Sequence, residues 1–216
     1  MAIPVLIIGK SGAGKSASMR NFKNGEVGII NVLGKQLPFR TDIQTILNTD
    51  DYEAAKTSLA KIRPDIPAVI DDAGYLITNM FMKNHSTLGA GNSIFNFYNE
   101  VADSYWKLIE FVKTLPPEKI VYFVMHEDKN DFGDIKPKTI GKLLDEKVCI
   151  EGLFTIVLRA IKENDRHIFL TKSRGFDVSK TPMGMFDSQE IDNDLKFVDK
   201  TIREYYGLQG GKQNVA

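Results

Sequence analysis

Short runs of apolar residues alternate with stretches of helical periodicity through the first two thirds of the chain. The helical stretches cover residues 51–62 and the segment from Ser93 to the prolines at 116 and 117. Apolar residues in the longer stretch recur every three or four positions, which is typical of a helix packed on a core. The apolar runs cover residues 3–9, 26–32, 66–74 and 119–127. Runs of this length between helices are typical of buried parallel strands, so the pattern predicts an α/β fold with a mostly parallel sheet flanked by helices.

The pattern changes after the fourth apolar run. A short helix is predicted over residues 139–147, and residues 152–171 predict a β-hairpin with its turn at 163–165. Apolar residues then recur at helical spacing over residues 191–205, and Gly207 ends this helix. The α/β core is therefore expected to be followed by a C-terminal hairpin and helix.

Length and composition predict one globular domain, residues 1–206, followed by a flexible tail at 207–216. The 216 residues are 43% hydrophobic and 26% charged, which is typical of a compact chain. Basic and acidic side chains balance at 28 each, so a nucleic acid or an anionic membrane would have to meet a local patch. Cys149 is the only cysteine, which excludes an internal disulfide and favours a reducing cytoplasm. No segment approaches the roughly 20 apolar residues of a membrane span, so we expect a cytoplasmic protein with no membrane partner.

Residues 9–16, GKSGAGKS, match the pattern G-x-x-x-x-G-K-[ST] at every fixed position. They lie between a predicted strand and a predicted short helix that begins at Lys15 or Ser16. Glycines in such a loop let consecutive backbone N–H groups point at phosphate oxygens. Lys15 is expected to bridge the β- and γ-phosphates during catalysis, and Ser16 to bind Mg²⁺ through its hydroxyl. The predicted nucleotide-binding residues are Gly9, Lys10, Ser11, Gly12, Ala13, Gly14, Lys15 and Ser16.

Two acids, Asp71 and Asp72, follow the third apolar run. An acid at the tip of a neighbouring buried strand completes a magnesium site, so Asp71 is expected to serve the metal. Asp72 is expected either to polarise the attacking water or to act as a turn residue. The segment DDAG at 71–74 also satisfies the D-x-x-G pattern of GTPases, but the guanine-selecting N-K-x-D is absent. The sequence therefore favours ATP with Mg²⁺ over GTP, although it offers no residue that positively reads adenine.

His126 and Glu127 end the fourth apolar run, where RecA-like and AAA-type ATPases place a polar residue that senses the γ-phosphate. His126 is predicted to hydrogen-bond a phosphate or the attacking water, and Glu127 to be the base; a solvent-facing strand end is the alternative. Lys136 and Lys138 follow in a charged loop, and they are predicted to reach the γ-phosphate of a neighbouring subunit. Such a trans-acting finger implies a homo-oligomer, whereas the competing interpretation is an ordinary solvated loop.

Basic residues predominate in two segments, residues 10–40 and 159–180, and either could follow a nucleic-acid backbone. The basic residues of the first segment are Lys10, Lys15, Arg20, Lys23, Lys35 and Arg40. Ordinary surface charge is the competing interpretation of both segments. Phe95, Phe97 and Tyr98 have the chemistry to stack on bases, but their helical spacing favours core packing.

The stretches IPVLIIGKSGAGKS, AVIDDAGYLI, YFVMHED, DIKPKTIGKLLDEK and KTPMGMF together resemble bacteriophage-encoded P-loop ATP-binding proteins. These are the short RecA-like group linked to single-strand annealing and phage recombination, and the resemblance covers residues 1 to about 206. It implies that residues 9–16 bind ATP, that Asp71 serves the metal, and that the protein acts on single-stranded DNA beside a phage single-strand binding protein. RecA itself keeps a catalytic glutamate at the end of the strand after the P-loop helix, whereas this chain has Asn31 and no acid there. This difference favours Asp72 or Glu127 as the catalytic base.

The sequence thus predicts a P-loop NTPase with a RecA-like core. We expect slow ATP hydrolysis, stimulated by DNA or by self-assembly and coupled to the binding or annealing of single-stranded DNA. A nucleotide or small-molecule kinase is the main alternative, although its late lid is usually arginine-rich and the late loop here carries lysines. A nucleotide-gated interaction switch with little turnover is a third interpretation.

Overall fold

The computed structural model describes residues 1–87, 92–130, 132–141 and 143–208. Within these residues the chain builds one nine-stranded sheet with helices on both faces. The strands are β1 (Ile3–Gly9), β2 (Gly28–Asn31), β3 (Ile46–Asn48), β4 (Ala68–Asp71), β5 (Ile120–Lys129), β6 (Ile135–Pro137), β7 (Ile156–Glu163), β8 (Arg166–Leu170) and β9 (Glu190–Asp192). The helices are α1 (Tyr52–Lys61), α2 (Gly74–Asn84), α3 (Asn92–Thr114) and α4 (Leu195–Tyr205), and a 3-10 helix covers Ser16–Asn21.

The strands lie in the order β3-β2-β4-β5-β1-β7-β8-β9, and β6 pairs with the far end of β5. All neighbours from β3 to β7 pair in parallel. The pairs β7–β8 and β8–β9 are antiparallel, as is β5–β6. The sheet is therefore mixed but mostly parallel, and the predicted α/β class is confirmed.

The central strand β1 shows why the core strands read as continuous apolar runs. Successive side chains of a strand point to opposite faces, and both faces of β1 are covered. Leu6 and Ile8 pack in the cluster formed with α1, α2 and α3, whereas Val5 and Ile7 pack in the cluster formed with α4 and the 3-10 helix. A strand buried on both sides needs apolar residues at every position, which is the pattern seen at residues 3–9.

The helix α3 has the predicted amphipathic pattern, and Tyr105, Leu108 and Ile109 on its inner face are fully buried. Phe97 is buried as well, so core packing is confirmed for this residue, whereas Phe95 is 67% exposed. None of the helices in the four described ranges is long and apolar enough to span a membrane.

Among the α-helices and strands of the described residues, four were not predicted from the sequence: α2, β3, β6 and β9. The two edge strands β3 and β9 contain no fully buried residue, so they lack an apolar run that would mark them. The strand β6 lies within what the sequence presents as a charged loop. The helix α2 begins at Gly74 directly after the acidic pair, and Leu76 and Ile77 are its buried residues.

The C-terminal third contains the predicted hairpin. Asn164 and Asp165 form its two-residue turn with positive φ angles of 49° and 60°, a conformation that these residue types tolerate. The predicted helix at 139–147 is instead a single π-helical turn over Leu143–Lys147.

The predicted C-terminal helix is present as α4, but it begins at Leu195, where Asp194 caps it. The prediction was wrong for residues 191–194, because Ile191 lies in the strand β9. The predicted tail lies outside the described residues from position 209 onward.

Candidate functional site

Parallel pairing brings the carboxyl ends of β1, β4 and β5 to one edge of the sheet. Because β5 lies between β1 and β4, the residues that follow these strands meet there. Gly9 at the end of β1 is in register with His126 of β5, and Asp71 ends β4. The glycine loop and the acidic pair, distant in sequence, therefore share one site, as their positions at strand ends predicted.

Lys15 lies inside the glycine loop rather than in solvent. Its side-chain Nζ donates hydrogen bonds to the carbonyl oxygens of Gly9, at 2.7 Å, and Lys10, at 2.9 Å. Burial lowers the pKa of Lys15, an effect that the nearby carboxylates of Asp72 and Asp71 partly offset. The ammonium group is thus held at the centre of the loop by backbone acceptors, which it can exchange for phosphate oxygens.

The glycine loop packs tightly against the elements behind it. Gly14 has φ +95°, and a Cβ added there would lie 2.9 Å from Nδ1 of His167 and 3.1 Å from Oδ1 of Asn193. A Cβ at Gly9 would lie 2.5 Å from the carbonyl oxygen of Ala160 on β7. The two fixed glycines of the motif are therefore required by close contacts, and at Gly14 also by a left-handed backbone.

Ser16 and Asp71 form the contact that joins the glycine loop to the acidic strand end. The Ser16 hydroxyl donates to Oδ1 of Asp71 at 2.8 Å. Burial raises the pKa of Asp71 to about 6, although the hydrogen bond from Ser16 opposes this. A hydroxyl and a carboxylate are the hard oxygen donors that Mg²⁺ prefers, and Mg²⁺ commonly takes only one or two protein ligands beside water and phosphate. The pair therefore fits the predicted metal site.

Asp72 lies beside this pair with a left-handed backbone. Its φ is +59°, a conformation that is uncommon outside glycine but that aspartate tolerates. Oδ2 of Asp72 accepts from Nζ of Lys35 at 2.9 Å, and Nε2 of His126 lies 3.6 Å from Oδ1. Burial raises the pKa of Asp72, but the contacts with His126 and Lys35 outweigh this effect and bring the pKa below its ordinary value. Asp72 is therefore ionised at neutral pH.

Glu127 faces a different partner from the one that the sequence suggested. Both of its carboxylate oxygens accept from the guanidinium group of Arg159, at 2.7 and 3.0 Å. The Glu127 side chain is only 2% exposed, and Asp177 adds a second carboxylate 3.9 Å from Arg159. The predicted base is thus engaged on both oxygens in a bidentate ion pair between β5 and β7.

Lys138 lies beside the glycine loop of its own chain. Its backbone N–H donates to the carbonyl oxygen of His126 at 2.8 Å. Lys138 and His126 line a cavity of about 370 Å³ together with Tyr75 and the loop residues Lys10 and Ser11. Lys136 pairs in register with Asp128 in the β5–β6 hairpin. The action of these two lysines on a neighbouring subunit stays a prediction.

Lys10 and Ser11 also border a second cavity, of about 360 Å³, on the β7 side of the loop. Arg159 and Arg174 contribute to its wall. The glycine loop is therefore flanked by two cavities. Lys10 lies between the two cavities.

Lys35 and Tyr75 are site residues that sequence reasoning missed. From the sequence, Lys35 was recognised only as one of the basic residues of segment 10–40, because no sequence pattern indicates that its side chain contacts Asp72. Tyr75 packs edge-on against the ring of His126, with centroids 5.9 Å apart, and Nζ of Lys35 lies 5.7 Å from the Tyr75 ring centroid. The signal that could have found Lys35 is its position just after β2, the strand next to β4.

Comparison of the sequence with models of known protein families finds no match, and a search of curated proteins finds none either. The function is therefore inferred from the residues of the site themselves.

Proposed function

We propose that this chain binds ATP with Mg²⁺ and hydrolyses it slowly. The observation that carries the proposal is the 2.8 Å hydrogen bond between the Ser16 hydroxyl and Asp71. It joins the last residue of a G-x-x-x-x-G-K-[ST] loop to a buried acid on another strand, which is the pair that a nucleotide-bound magnesium ion requires. Lys15, buried within the loop, supplies the cation for the phosphates.

A RecA-like core is the form of P-loop fold that the strand order supports best. In this order β5 separates the loop strand β1 from the acidic strand β4. The interposed strand β5 carries His126, whose Nε2 lies 3.6 Å from Oδ1 of Asp72, at the place where the RecA-like interpretation expects a residue that senses the γ-phosphate. We assign this role to His126.

We assign the orientation of the attacking water to Asp72 rather than to Glu127. Glu127 already accepts two hydrogen bonds from Arg159. The ionised carboxylate of Asp72 can accept a hydrogen bond from water, but the contacts that lower its pKa also make it a weak base. Slow turnover is the expected consequence.

We further propose that turnover is coupled to single-stranded DNA in a self-associating protein, as the resemblance to phage annealing ATPases implies. Two exposed aromatic side chains support this part of the proposal. Phe132, in the turn between β5 and β6, is 90% exposed, and Phe176 is 69% exposed. Phe176 contacts the β5–β6 hairpin, because its carbonyl oxygen accepts a hydrogen bond from the backbone N–H of Ile135. Exposed aromatic rings are the surfaces on which unpaired bases stack.

The direct test measures phosphate release from ATP with and without single-stranded DNA, for the wild type and for Lys15→Ala. We expect slow release by the wild type, faster release with DNA, and none by the variant, with circular dichroism showing that the variant is folded. Equal release by the two proteins would contradict the proposed active site. A wild type that neither binds DNA nor responds to it would remove the coupling alone.

A small-molecule or nucleotide kinase is the second candidate, and the cavity of about 370 Å³ between the glycine loop, Tyr75 and Lys138 favours it. A cavity of that size beside the phosphate loop has room for a phosphoryl acceptor. The same assay separates the two activities: a kinase transfers the terminal phosphate to an added nucleoside, nucleotide or sugar, whereas an ATPase releases it to water.

A further inference from the structure

Lys35 makes an ion pair that the proposed hydrolysis does not explain. It follows β2, and its Nζ lies 2.9 Å from Oδ2 of Asp72. The Lys35 side chain is 60% exposed, whereas that of Asp72 is 12% exposed. Because the lysine is open to solvent, screening limits what this pair adds to stability, so any further value of the pair depends on the groups that surround it.

Backbone contacts hold Lys35 at this place. Asn31 ends β2 in register with Asp71 of β4, and its amide Nδ2 donates to the carbonyl oxygen of Lys35 at 2.6 Å. Gly34 completes the turn with φ +62°. Asn31 is itself buried. The position at which RecA has an acid therefore holds an amide here, and that amide fixes a turn that carries a lysine to Asp72.

Two adjacent carboxylates lie at the place that Lys35 reaches. Asp71 and Asp72 are adjacent, and each acts on the other and on Lys15. A magnesium ion at Ser16 and Asp71 would bind the Asp71 carboxylate directly, whereas the Asp72 carboxylate is paired with Lys35. Without the ammonium group of Lys35, which lies 2.9 Å from Oδ2 of Asp72, the Asp72 carboxylate would repel the anionic end of a nucleotide bound beside it. Among the lysines of the part of the chain that the structure describes, Lys35 is the one that forms an ion pair with Asp72.

We propose that Lys35 is a specificity-determining residue that makes the site prefer a nucleoside triphosphate to a diphosphate, because its ammonium group neutralises Asp72 beside the terminal phosphate. This inference rests on the proposed function. The third phosphate of ATP carries the charge that Asp72 would repel, whereas ADP ends one phosphate earlier. Removing the ammonium group should therefore weaken ATP binding selectively.

The test compares the affinities of ADP and of the β,γ-imido analogue of ATP, both with Mg²⁺, by titration calorimetry. For Lys35→Gln we expect the analogue to bind about tenfold more weakly, the size of one charge-assisted contact, with ADP changed less than about twofold. Lys35→Arg keeps the charge and should keep the preference. Lys196→Gln is the control, since it breaks another lysine–carboxylate pair, Lys196–Glu26 of 2.6 Å, which joins α4 to the residues that precede β2.

A double-mutant cycle tests the route through Asp72. Asp72→Asn is a suitable second change because asparagine tolerates the left-handed backbone. If Lys35 acts by neutralising Asp72, Lys35→Gln should alter the ADP-to-analogue ratio by less than about twofold in the Asp72→Asn background. An undiminished effect there would overturn this route.

The outcomes also separate the inference from the proposed function. Wild-type protein that binds both nucleotides, with the same ratio in Lys35→Gln, would overturn the role of Lys35 and leave the nucleotide site intact. Wild-type protein that binds neither nucleotide would overturn both.

Discussion

Replacing Asp71 by asparagine should make the nucleotide-free protein more stable while removing its function. Asp71 is buried, and burial raises its pKa from the ordinary 3.8 to about 6. The folded chain therefore binds the proton of this carboxyl more tightly than the unfolded chain does. Stability falls as the pH rises from about 4 through 6, because the folded protein must then carry a buried charge.

The size of the effect follows from the difference between the two pKa values, about 6 minus 3.8, or about two. At 1.36 kcal/mol per pKa unit this corresponds to up to about 3 kcal/mol at neutral pH. Asparagine has the same shape, and its amide oxygen can still accept the hydrogen bond from Ser16. We therefore expect Asp71→Asn to unfold with a free energy up to about 3 kcal/mol higher than the wild type at pH 7.5, and with an equal free energy near pH 4.

The assay is urea unfolding at the two pH values, without Mg²⁺ or nucleotide. Asp72→Asn is the neighbouring control with the opposite sign. In the wild type the pKa of Asp72 is lowered in the folded state, so the charge of this carboxylate stabilises the fold at pH values above the ordinary pKa of aspartate. That contribution is lost as the pH falls. A less stable Asp71→Asn at pH 7.5, or a difference between wild type and variant that does not shrink at pH 4, would refute the reasoning.

Three further predictions address the loop, the ion pair behind it and the aromatic surface. Gly14→Ala should lower the free energy of unfolding, measured in urea, by about 1–3 kcal/mol, because the new Cβ adds a 2.9 Å contact to the strain of a left-handed backbone. The control Gly25→Ala has φ +80° and open space around it, so it should cost only about 1 kcal/mol. Equal losses in the two variants would show that the contact at Gly14 is unimportant. Arg159→Ala leaves the buried carboxylate of Glu127 without its partner and should lower the free energy of unfolding by about 3 kcal/mol in thermal or urea unfolding. An unchanged unfolding midpoint would contradict the burial of this ion pair. Phe132→Ala combined with Phe176→Ala should weaken single-stranded DNA binding by about 2 kcal/mol in a fluorescence titration and leave ATP affinity unchanged. Undiminished DNA affinity would exclude the surface formed by these two phenylalanines as the DNA-binding site.

The parts of the fold that the sequence predicted are those with a local cause. The strand at residues 3–9 is apolar at consecutive positions because both of its faces are covered, and the hairpin turn carries asparagine and aspartate where the backbone is left-handed. The helix α1 begins where Asp51 accepts from the backbone N–H of Ala54. Such signals lie within a few residues of the structure they specify. By contrast, the edge strand β3 exists only because β2 offers it a neighbour, and its own sequence does not require it.

The candidate site divides in the same way. The glycine loop and Asp71 were predictable because a motif and a strand end each identify their chemistry locally. The pairing of Lys35 with Asp72 was not, since it depends on β2 lying beside β4, which is a property of the strand order. Arg159 was missed as the partner of Glu127 for a related reason: the ion pair joins β5 to β7, with β1 between them.

The most direct test of the proposed nucleotide site is the Mg²⁺ dependence of ATP binding to the wild type and to Ser16→Ala, measured by titration calorimetry. We predict that Mg²⁺ strengthens ATP binding to the wild type by tenfold or more, about 1.4 kcal/mol. We predict that it strengthens binding to the variant much less, because the hydroxyl that meets Asp71 at 2.8 Å is gone. An ATP affinity of the wild type that does not change with Mg²⁺, or an equal change in affinity in both proteins, would contradict the proposed site.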